Sequence, residues 1–521
     1  MKNINLRIKL LIWILLPFVA LNSCKSHKNI SQKPTDDGKI AVDFIQLNDV
    51  YEIAPLEGGK SGGMARVETI HKQVKQQNPN TLLFMAGDFL NPSLLGTMKL
   101  NGERIRGRQM VEVMNAMGFD LVAFGNHEFD LKYKDLQKRL NESKFDWVLG
   151  NALHHKNKEN TPFYKMVNGE KQIIPKTKII KLKDADGTTI KIGFFSEVVD
   201  SNPKDYVTYL DPYKQAKADY NELVKEGADI IIGFTHLNKE EDLKILEMLP
   251  KVPLIMGGHE HYNMLLTAST GGKVAKADAN AKTIYIHHLV YDKNTKKLKL
   301  TSKLITIDEN IKDDETIKPI VDRWQKILDE KVKNVANNPN EVLFVAKTPL
   351  DAREKSIRHH QTNMGELITD AMLSASTNNA EIAILNSGSI RIDDQLSGDI
   401  VAMDFFRAMP FGGGIYDVEI KGDLLKKVLD YGETHQGKGS YLQRSKNIKF
   451  ENGKWTINHQ IVDDNKVYKI ITSDYLMKGY DIPMLKENAQ GVVKVLKPQH
   501  KELRGDIRNV VITYIKNNLN K

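Results

Sequence analysis

The most restrictive feature of this chain is a series of short apolar runs of strand length, separated by stretches with helical periodicity, between residues 40 and 306. Such runs include "IAVDFIQL", "TLLFMA", "KIGFFS" and "DIIIGFTH", and one helical stretch places Met64, Val67, Ile70 and Val74 on one face. Short continuous apolar runs suit buried strands, whereas apolar residues three or four positions apart suit a helix that packs on a core. This rhythm predicts an α/β domain that ends near residue 306.

A second unit follows the first domain. A linking helix is predicted within residues 307–338, where Ile317, Trp324 and Leu328 fall on one face. From 339 to 521 the runs "EIAILNSG" and "VYKIITSDY" predict strands, and "NMGELITDAMLSAS" and "GDLLKKVLDYG" predict helices. A chain of 521 residues is too long for one compact core, so its length also favours two domains.

The N-terminal segment has a different composition. Lys2 and Arg7 precede the apolar run "LLIWILLPFVAL", which is too short for a stable membrane span and ends close to Cys24. Residues 1–23 resemble a bacterial lipoprotein signal peptide, whose following cysteine becomes lipidated; a plain secretory signal is the alternative. Residues 24–39 are polar and read as a tether. We therefore expect an extracytoplasmic protein anchored through Cys24 to a bacterial membrane, at its periplasmic face or at the cell surface.

Composition narrows the function classes. A hydrophobic content of 41% and a charged content of 27% are typical of globular proteins. The net charge of +9 is spread along the chain without a dense basic stripe, so nucleic-acid binding is not expected. A mildly basic surface favours anionic small molecules. Cys24 is the only cysteine, so no disulfide can form within the chain, and no sequence feature implies a protein partner.

Side chains that bind metals follow successive predicted strands of the first domain. They are Asp49, Asp88, Asn126, His127, Asp130, His236, His259 and His261. Loops at the carboxyl ends of strands in an α/β sheet converge on one crevice, so we expect these residues to meet there. A mixed set of carboxylate, amide and imidazole groups suits Zn²⁺, Mn²⁺ or iron better than Ca²⁺.

The ordered set D…GD…GNHE…H…GHxH resembles the calcineurin-like metallophosphoesterases. That resemblance implies a four-layer α/β sandwich that holds two divalent metal ions, with Asp88 as the ligand that bridges them. The remaining matched ligands would be Asn126, His236 and His259 for one ion, and Asp49 and His261 for the other. His127 matches the general acid of the family, and Asp130 matches the carboxylate that orients its ring.

Tyr51 departs from this pattern, because a histidine is expected two residues after Asp49. Three interpretations remain open. Tyr51 packs beside a weakened but working site, or its phenolate binds an ion and favours a hard trivalent metal, or the site holds a single ion with altered activity.

The second unit resembles the C-terminal domain of the 5′-nucleotidase family, on the segments "NMGELITDAM", "LNSGSIR", "MPFGGGIYDVEIKGDLL" and "SDYLMKGYD". The resemblance implies that Phe411 and Tyr475 hold a nucleobase between them and that Asp481 binds the ribose. Residues matched to the phosphate or sugar side are Arg358, Asn386 and Arg391, with Arg353 a looser match. The segment "GYDIP" is bulkier than the glycine-rich form of the family, which leaves the preferred nucleotide open.

The function that these resemblances imply is metal-dependent hydrolysis of 5′-nucleotides to nucleoside and phosphate outside the cytoplasm. Within the enzyme class, the alternatives are a UDP-sugar or 2′,3′-cyclic nucleotide hydrolase, or a sulfur-ester hydrolase that would have no use for base stacking. Outside it, the alternative is a surface lipoprotein that binds nucleotide or metal without turnover. Because the metal ligands and the base pocket fall in different domains, we also expect a hinge motion near the helix at 313–335.

Overall fold

A computed structural model describes residues 36–201, 204–333, 338–392, 394–499 and 502–519. The predicted signal peptide, Cys24 and most of the predicted tether therefore lie outside the described residues, and lipidation stays a prediction. Among the residues described, no helix combines the length and apolarity needed to cross a membrane.

The first domain alternates strands and helices. Its strands are β1 Lys39–Leu47, β2 Thr81–Ala86, β3 Lys99–Leu100, β4 Glu103–Arg104, β5 Leu121–Ala123, β6 Asp146–Val148, β7 Ala152–Lys156, β8 Glu159–Thr161, β9 Tyr164–Val167, β10 Glu170–Ile173, β11 Thr177–Lys183, β12 Thr189–Phe195, β13 Val207–Tyr209, β14 Ile230–Phe234, β15 Leu254–Met256, β16 Met264–Thr267, β17 Lys273–Lys276, β18 Thr283–Asp292 and β19 Lys297–Thr306. Its helices are α1 Met64–Gln77, α2 Leu94–Thr97, α3 Arg108–Met117, α4 Tyr133–Glu142, α5 Pro212–Lys225 and α6 Lys239–Met248, with 3₁₀ turns at Glu57–Gly59, Asn126–Asp130 and Ala279–Ala281.

Two six-stranded sheets form the inner layers of this domain. One has the strand order β19-β18-β1-β2-β5-β6 and the other the order β11-β12-β14-β15-β17-β16. Their facing sides share one apolar core, in which the Phe84 ring lies 5.0 Å from Phe44, 5.2 Å from Phe194 and 5.5 Å from Phe234, centroid to centroid. Helices α1, α3 and α4 cover the outer face of the first sheet, and α5 and α6 cover that of the second. The predicted four-layer sandwich is confirmed.

The carboxyl ends of the central strands meet at one edge of the sandwich. Strands β1, β2, β5 and β6 are parallel neighbours in the first sheet, as are β12, β14 and β15 in the second. The chain leaves β1 at Asn48, β2 at Gly87 and β14 at Thr235. Each of these exits lies one residue before a predicted metal ligand, which is why that set of residues converges.

The helix α7 Lys318–Lys333 lies between the two domains and packs on the first. Val321, Trp324 and Leu328 are buried there, and the Trp324 indole N–H donates to Glu112 of α3 at 2.9 Å. The helix therefore extends the core of the first domain.

The second domain is also α/β. Its strands are β20 Val342–Asp351, β21 Ile382–Asn386, β22 Gln395–Val401, β23 Ile415–Lys421, β24 Leu442–Arg444, β25 Ile448–Glu451, β26 Lys454–Ile457, β27 Gln460–Ile461, β28 Val467–Ser473 and β29 Val492–Leu496. Its helices are α8 Glu354–Ile357, α9 Asn363–Ser374, α10 Ala402–Ala408, α11 Gly422–Thr434 and α12 Ile507–Asn518, with 3₁₀ turns at Ser387–Ser389 and Leu503–Gly505.

A five-stranded sheet of order β24-β21-β28-β23-β29 forms the core of this domain. Alternation along β21 shows how it is covered: Ile382 and Ile384 face the core formed with α11, whereas Ala383 and Leu385 face the core formed with α9 and α12. Helices on both faces make it a second α/β domain, as predicted.

Candidate active site

Four predicted ligands lie together at the crevice of the first domain. The ligand atoms of Asp49, Asp88 and His261 are all within 4.8 Å of one another, and all three side chains are buried. His261 Nε2 lies 3.2 Å from Asp49 Oδ1. On the other side, His236 Nε2 lies 3.0 Å from Asp88 Oδ2 and 3.7 Å from Asp49 Oδ1. Asp88 thus lies near both histidines, and its role as a bridging ligand stays a prediction.

The backbone of this cluster is held in an unfavourable conformation. Asp49, Asp88, His259 and His261 have φ values of 54°, 57°, 93° and 66°, in the region that disfavours residues with a Cβ. Gly125 is needed for close packing, since a Cβ there would lie 2.1 Å from Asp88 Oδ1. Strain of this kind persists where the surrounding structure over-determines it, as at functional sites.

The residues present fit a metal centre. Among the described residues, Asn126 Oδ1 and Asp49 Oδ1 are buried acceptors that receive no hydrogen bond. Burial opposes the charge of Asp49, yet His236 and His261 hold its pKa below the usual range. Burial likewise opposes the charge of His236, while Asp88 and Asp49 raise its pKa to about 9. Two buried carboxylates that attract protons onto their neighbours have the electrostatic character of a cation site.

Glu128 holds the Asp88 loop in place, a role that the sequence analysis did not assign. Its Oε2 accepts the backbone N–H groups of Asp88 at 2.8 Å and Gly125 at 2.7 Å, and its Oε1 accepts those of Phe89 at 2.8 Å and Leu90 at 3.0 Å. Burial and the charge of Asp88 raise the pKa of Glu128 to about 7. The "GNHE" motif carried the signal, because its glutamate completes the turn that bears Asn126 and His127.

A buried ion-pair network supports the loop that carries His259 and His261. Lys276, 1% exposed at its side chain, contacts Asp242 at 2.9 Å and Glu260 at 2.5 Å. The other Glu260 oxygen accepts the backbone N–H of Lys239. The His259 N–H donates to Asp49 Oδ2 at 2.9 Å, and its ring centroid lies 5.4 Å from that of His236. Burial, together with the charge of His236, lowers the pKa of His259 to about 3, so its ring is neutral.

His127 and Asp130 form the pair expected of a general acid and its partner. His127 Nδ1 lies 2.8 Å from Asp130 Oδ2, and both side chains are buried. Asp130 also contacts Lys204 at 3.1 Å and Arg391, from the second domain, at 3.0 Å. Burial opposes the charge of Asp130, but the hydrogen bond and charge of His127 hold its pKa far below the usual range. The ionised Asp130 therefore fixes the orientation of the imidazole.

Two predicted substrate residues face this metal site across the domain interface. A cavity of about 390 Å³ is lined from the first domain by Asn126, His127, His259 and His261, and from the second by Arg353, Lys355, Arg358 and His359, among others. Arg358 is paired with Glu354, and Arg391 contacts the same carboxylate at 3.3 Å. The sequence did not point to Lys355 and His359, since their approach to the metal ligands depends on domain packing.

The other four predicted substrate residues meet in a separate cavity of about 310 Å³, whose lining belongs entirely to the second domain. They are Asn386, Phe411, Tyr475 and Asp481. Asp481 accepts from Asn386 Nδ2 at 2.8 Å and from the Tyr475 hydroxyl at 3.1 Å. Phe411 is 61% exposed, which excludes a role in the core. Tyr480, a position not assigned from the sequence, places its ring 5.2 Å from that of Tyr475.

Tyr51 lies inside the metal cluster. It is buried, and its hydroxyl oxygen lies 2.9 Å from His261 Nε2 and 3.4 Å from Asp88 Oδ2. Its ring centroid lies 5.5 Å from that of His261 and 6.1 Å from that of His127. The side chain therefore occupies the space where the pattern predicts a histidine.

Comparison with known proteins matches two successive parts of the chain. The family model for calcineurin-like phosphoesterases matches residues 42–263, and the model for the 5′-nucleotidase C-terminal domain matches residues 342–487. The chain is 27% identical to the 5′-nucleotidase of Bos taurus over 506 residues, which covers 87% of this chain and 83% of that protein.

Solved structures share the fold. A 5′-nucleotidase precursor from Thermus thermophilus matches with a TM-score of 0.65 at 21% identity, over 92% of this chain and 96% of that one. The sulfate thiohydrolase SoxB from Thermus thermophilus matches with a TM-score of 0.61 at 14% identity, over 91% and 94%. Since proteins with different substrates share this architecture, the reaction must be argued from the site.

Proposed function

From the premise that this chain belongs to the 5′-nucleotidase family and is a metallophosphatase acting on phosphate esters, we propose that it hydrolyses 5′-nucleotides to nucleoside and phosphate. The observation that carries the proposal is the pairing of a buried Asp/His metal cluster with a second cavity lined by exposed aromatic rings and an acid. The first suits phosphate chemistry, and the second suits a nucleoside.

Two metal ions would be held by residues that the fold brings together: Asp49, Asp88, Asn126, His236, His259 and His261. Bound ions supply the charge that neutralises the phosphate and the acidity that activates water for in-line attack. Because His259 is neutral at physiological pH, it is ready to bind a cation without first losing a proton.

Residues of the chain would orient the phosphate and protonate the leaving oxygen of the ester. His127 lies at the metal cavity and is fixed by Asp130 at 2.8 Å, so it can donate a proton to the leaving oxygen of the ester. Arg358, on the opposite wall of that cavity, and Arg391, which contacts Asp130 and Glu354, carry guanidinium groups that can take up the phosphate's negative charge. In the described structure both arginines contact Glu354. When phosphate binds, it would replace the Glu354 carboxylate as their partner with an anion of higher charge.

The second cavity would hold the nucleoside. Phe411 and Tyr475 offer exposed aromatic faces for a base, which stacking accepts with little discrimination between bases. Asp481 is placed by Asn386 and Tyr475, and its carboxylate can accept hydrogen bonds from the ribose hydroxyls. The ring of Tyr480 lies 5.2 Å from that of Tyr475 and offers a further exposed aromatic face beside it.

We propose that the domains move so that one nucleotide uses both cavities. Among the residues that the structure describes, none lines both the aromatic cavity and the metal-side cavity. Ion pairs hold the domains in the described orientation, including Lys60–Asp399 at 2.6 Å and Lys282–Asp394 at 3.3 Å. The Lys60–Asp399 pair is partly exposed, so a movement that breaks it loses little free energy from this pair.

Phosphate release from AMP by the purified protein tests the proposal, measured without metal and then with Mn²⁺, Zn²⁺, Mg²⁺ or Co²⁺. We expect metal-dependent release that disappears in Asp88→Asn. UDP-glucose and 2′,3′-cyclic AMP are run beside AMP, and faster turnover of either would replace the proposed substrate. Binding of AMP without turnover of any of these substrates would favour a binding protein.

The location of the activity is a separate proposal. The N-terminal pattern supports export and attachment of a lipid at Cys24. Labelling of cells with a radioactive fatty acid should mark the wild-type protein and leave Cys24→Ser unlabelled. Labelling of that variant, or none of either protein, would contradict lipidation at Cys24.

A further inference from the structure

We infer that Tyr51 is a metal ligand, and that it makes one half of the centre a binding site for a trivalent ion such as Fe³⁺. This inference rests on the proposed function, because it concerns the same metal centre, and it names the ion that one half of the centre prefers. Three observations carry it: the position of the phenol oxygen, the way in which its backbone is held, and the charge of the ligand set.

The phenol oxygen has the spacing of a shared ligand shell. Atoms that bind one ion at about 2.0–2.1 Å lie roughly 2.9 Å apart in octahedral and 3.4 Å apart in tetrahedral geometry. The Tyr51 oxygen lies 2.9 Å from His261 Nε2 and 3.4 Å from Asp88 Oδ2, and His261 Nε2 lies 3.2 Å from Asp49 Oδ1. All three separations fall within that range.

Hydrogen bonds with Asn280 anchor the backbone of Tyr51. The Tyr51 N–H donates to Asn280 Oδ1 at 3.1 Å, and the Asn280 N–H donates to the Asp49 carbonyl at 2.8 Å. Asn280, which has a φ of 59°, thereby fixes both Asp49 and Tyr51. The hydroxyl of Tyr51 points at His261 and Asp88, and the residue is 3% exposed.

The charge of the ligand set distinguishes this half of the centre from the other half. Asp49, Asp88 and a phenolate at Tyr51 would contribute three negative charges and three hard oxygen atoms beside the single imidazole of His261. The other half has His236, His259 and the neutral amide of Asn126, with Asp88 shared. Hard, anionic oxygen ligands favour hard cations of high charge, whereas imidazole suits Zn²⁺ and similar ions.

The proton balance of binding is simple. A bound cation stabilises the ionised form of a phenol that ligates it. Binding forms an oxygen–metal bond and breaks the O–H bond of Tyr51, and the proton passes to solvent. No oxidant or reductant is needed when the ion is supplied as Fe³⁺.

The experiment loads the purified protein with ferric citrate, removes unbound iron, and records iron per chain, the visible absorption spectrum and the resonance Raman spectrum. Ligation by a phenolate gives a ligand-to-metal charge-transfer band whose excitation enhances tyrosine ring vibrations. We expect one tightly held iron per chain with this band, and complete loss of the band in Tyr51→Phe. Tyr285→Phe, which removes the hydroxyl of another buried tyrosine of the same domain, should keep it.

Three results would overturn the inference: wild-type protein that retains no iron, iron retained without the band, or a band that persists in Tyr51→Phe. If Tyr51→Phe does not fold, Tyr51→His serves, since it offers an imidazole and should also lack the band. Release of phosphate from AMP with Mn²⁺ is measured in parallel. Hydrolysis without the band contradicts only the assignment of Tyr51, and a band without hydrolysis contradicts only the proposed function.

Discussion

Glu128→Gln should weaken both the fold and the metal centre, because one carboxylate supports the whole turn that carries Asp88. Each of its two oxygens accepts two backbone N–H groups at 2.7–3.0 Å. The amide of glutamine has one oxygen, so its NH₂ group would face two of these four donors and leave them without an acceptor.

The expected loss follows from that count. A buried donor left unsatisfied costs about 1–3 kcal/mol, so two such donors lower the free energy of unfolding by roughly 2–6 kcal/mol. Asp88 has a φ of 57° and relies on this turn to hold it there. Displacing a group that orients a ligand lowers metal affinity by about 10- to 100-fold.

Equilibrium unfolding in urea, with the metal-free protein, measures the first effect, and calorimetric titration with Mn²⁺ measures the second. Glu170→Gln, on the exposed strand β10, is the matched control and should change neither quantity. An unfolding free energy and a metal affinity in Glu128→Gln equal to those of the wild type would refute the role assigned to Glu128.

Three further predictions use other parts of the chain. Asp219 is 1% exposed, and burial raises its pKa to about 6, so the folded state binds an extra proton and loses stability as pH rises from about 4 to 6. Asp219→Asn should raise the free energy of unfolding by up to about 3 kcal/mol at pH 7.5 and leave it unchanged at pH 3. A change in melting temperature that does not depend on pH would contradict this. Lys276→Met removes the cation that pairs with the buried carboxyl groups of Asp242 and Glu260 and should lower the free energy of unfolding in urea by about 3–5 kcal/mol, whereas an unchanged midpoint would contradict the stabilising role of this ion-pair network. The double variant Lys60→Cys with Asp399→Cys can be cross-linked between the domains by a short, cleavable bis-maleimide. We expect cross-linking to abolish turnover of AMP and cleavage of the linker to restore it. Full activity in the cross-linked protein would exclude domain movement.

Much of the fold could be read from the sequence because local pattern and burial agree there. The run "TLLFMA" coincides with β2, and the predicted helical face beginning at Met64 coincides with α1. Both elements are buried on one or both faces, so hydrophobic periodicity reports them directly. The fold class, an α/β sandwich followed by a second α/β domain, followed from that alternation.

Elements with little burial could not be predicted. The hairpin of β9 and β10 is mostly exposed, and its polar residues show no alternation of burial. The strand β20 is irregularly exposed and has shifts in its pairing with β22. Where neither face of a strand is buried, the sequence carries no period from which a strand could be inferred.

The candidate site also has one part that could be predicted from the sequence and one part that could not. The motif residues Asp49, Asp88 and His236 could be placed together because strand ends in an α/β sheet converge. The sequence could not show that Arg391 contacts Asp130, because that contact depends on how two domains pack. It also could not distinguish among the interpretations of Tyr51, because spacing alone does not reveal where a hydroxyl points.

One measurement tests the central claim, that the metal centre of the first domain hydrolyses a phosphate whose nucleoside is held by the second domain. It is the ratio of kcat/KM for AMP to that for ribose 5-phosphate, with saturating Mn²⁺. Stacking of a base contributes about 1–3 kcal/mol, so AMP should be preferred by roughly 5- to 150-fold, and Phe411→Ala should bring the ratio toward one while leaving ribose 5-phosphate turnover unchanged. Equal kcat/KM values for the two substrates in the wild type, or no metal-dependent phosphate release from either, would contradict the claim.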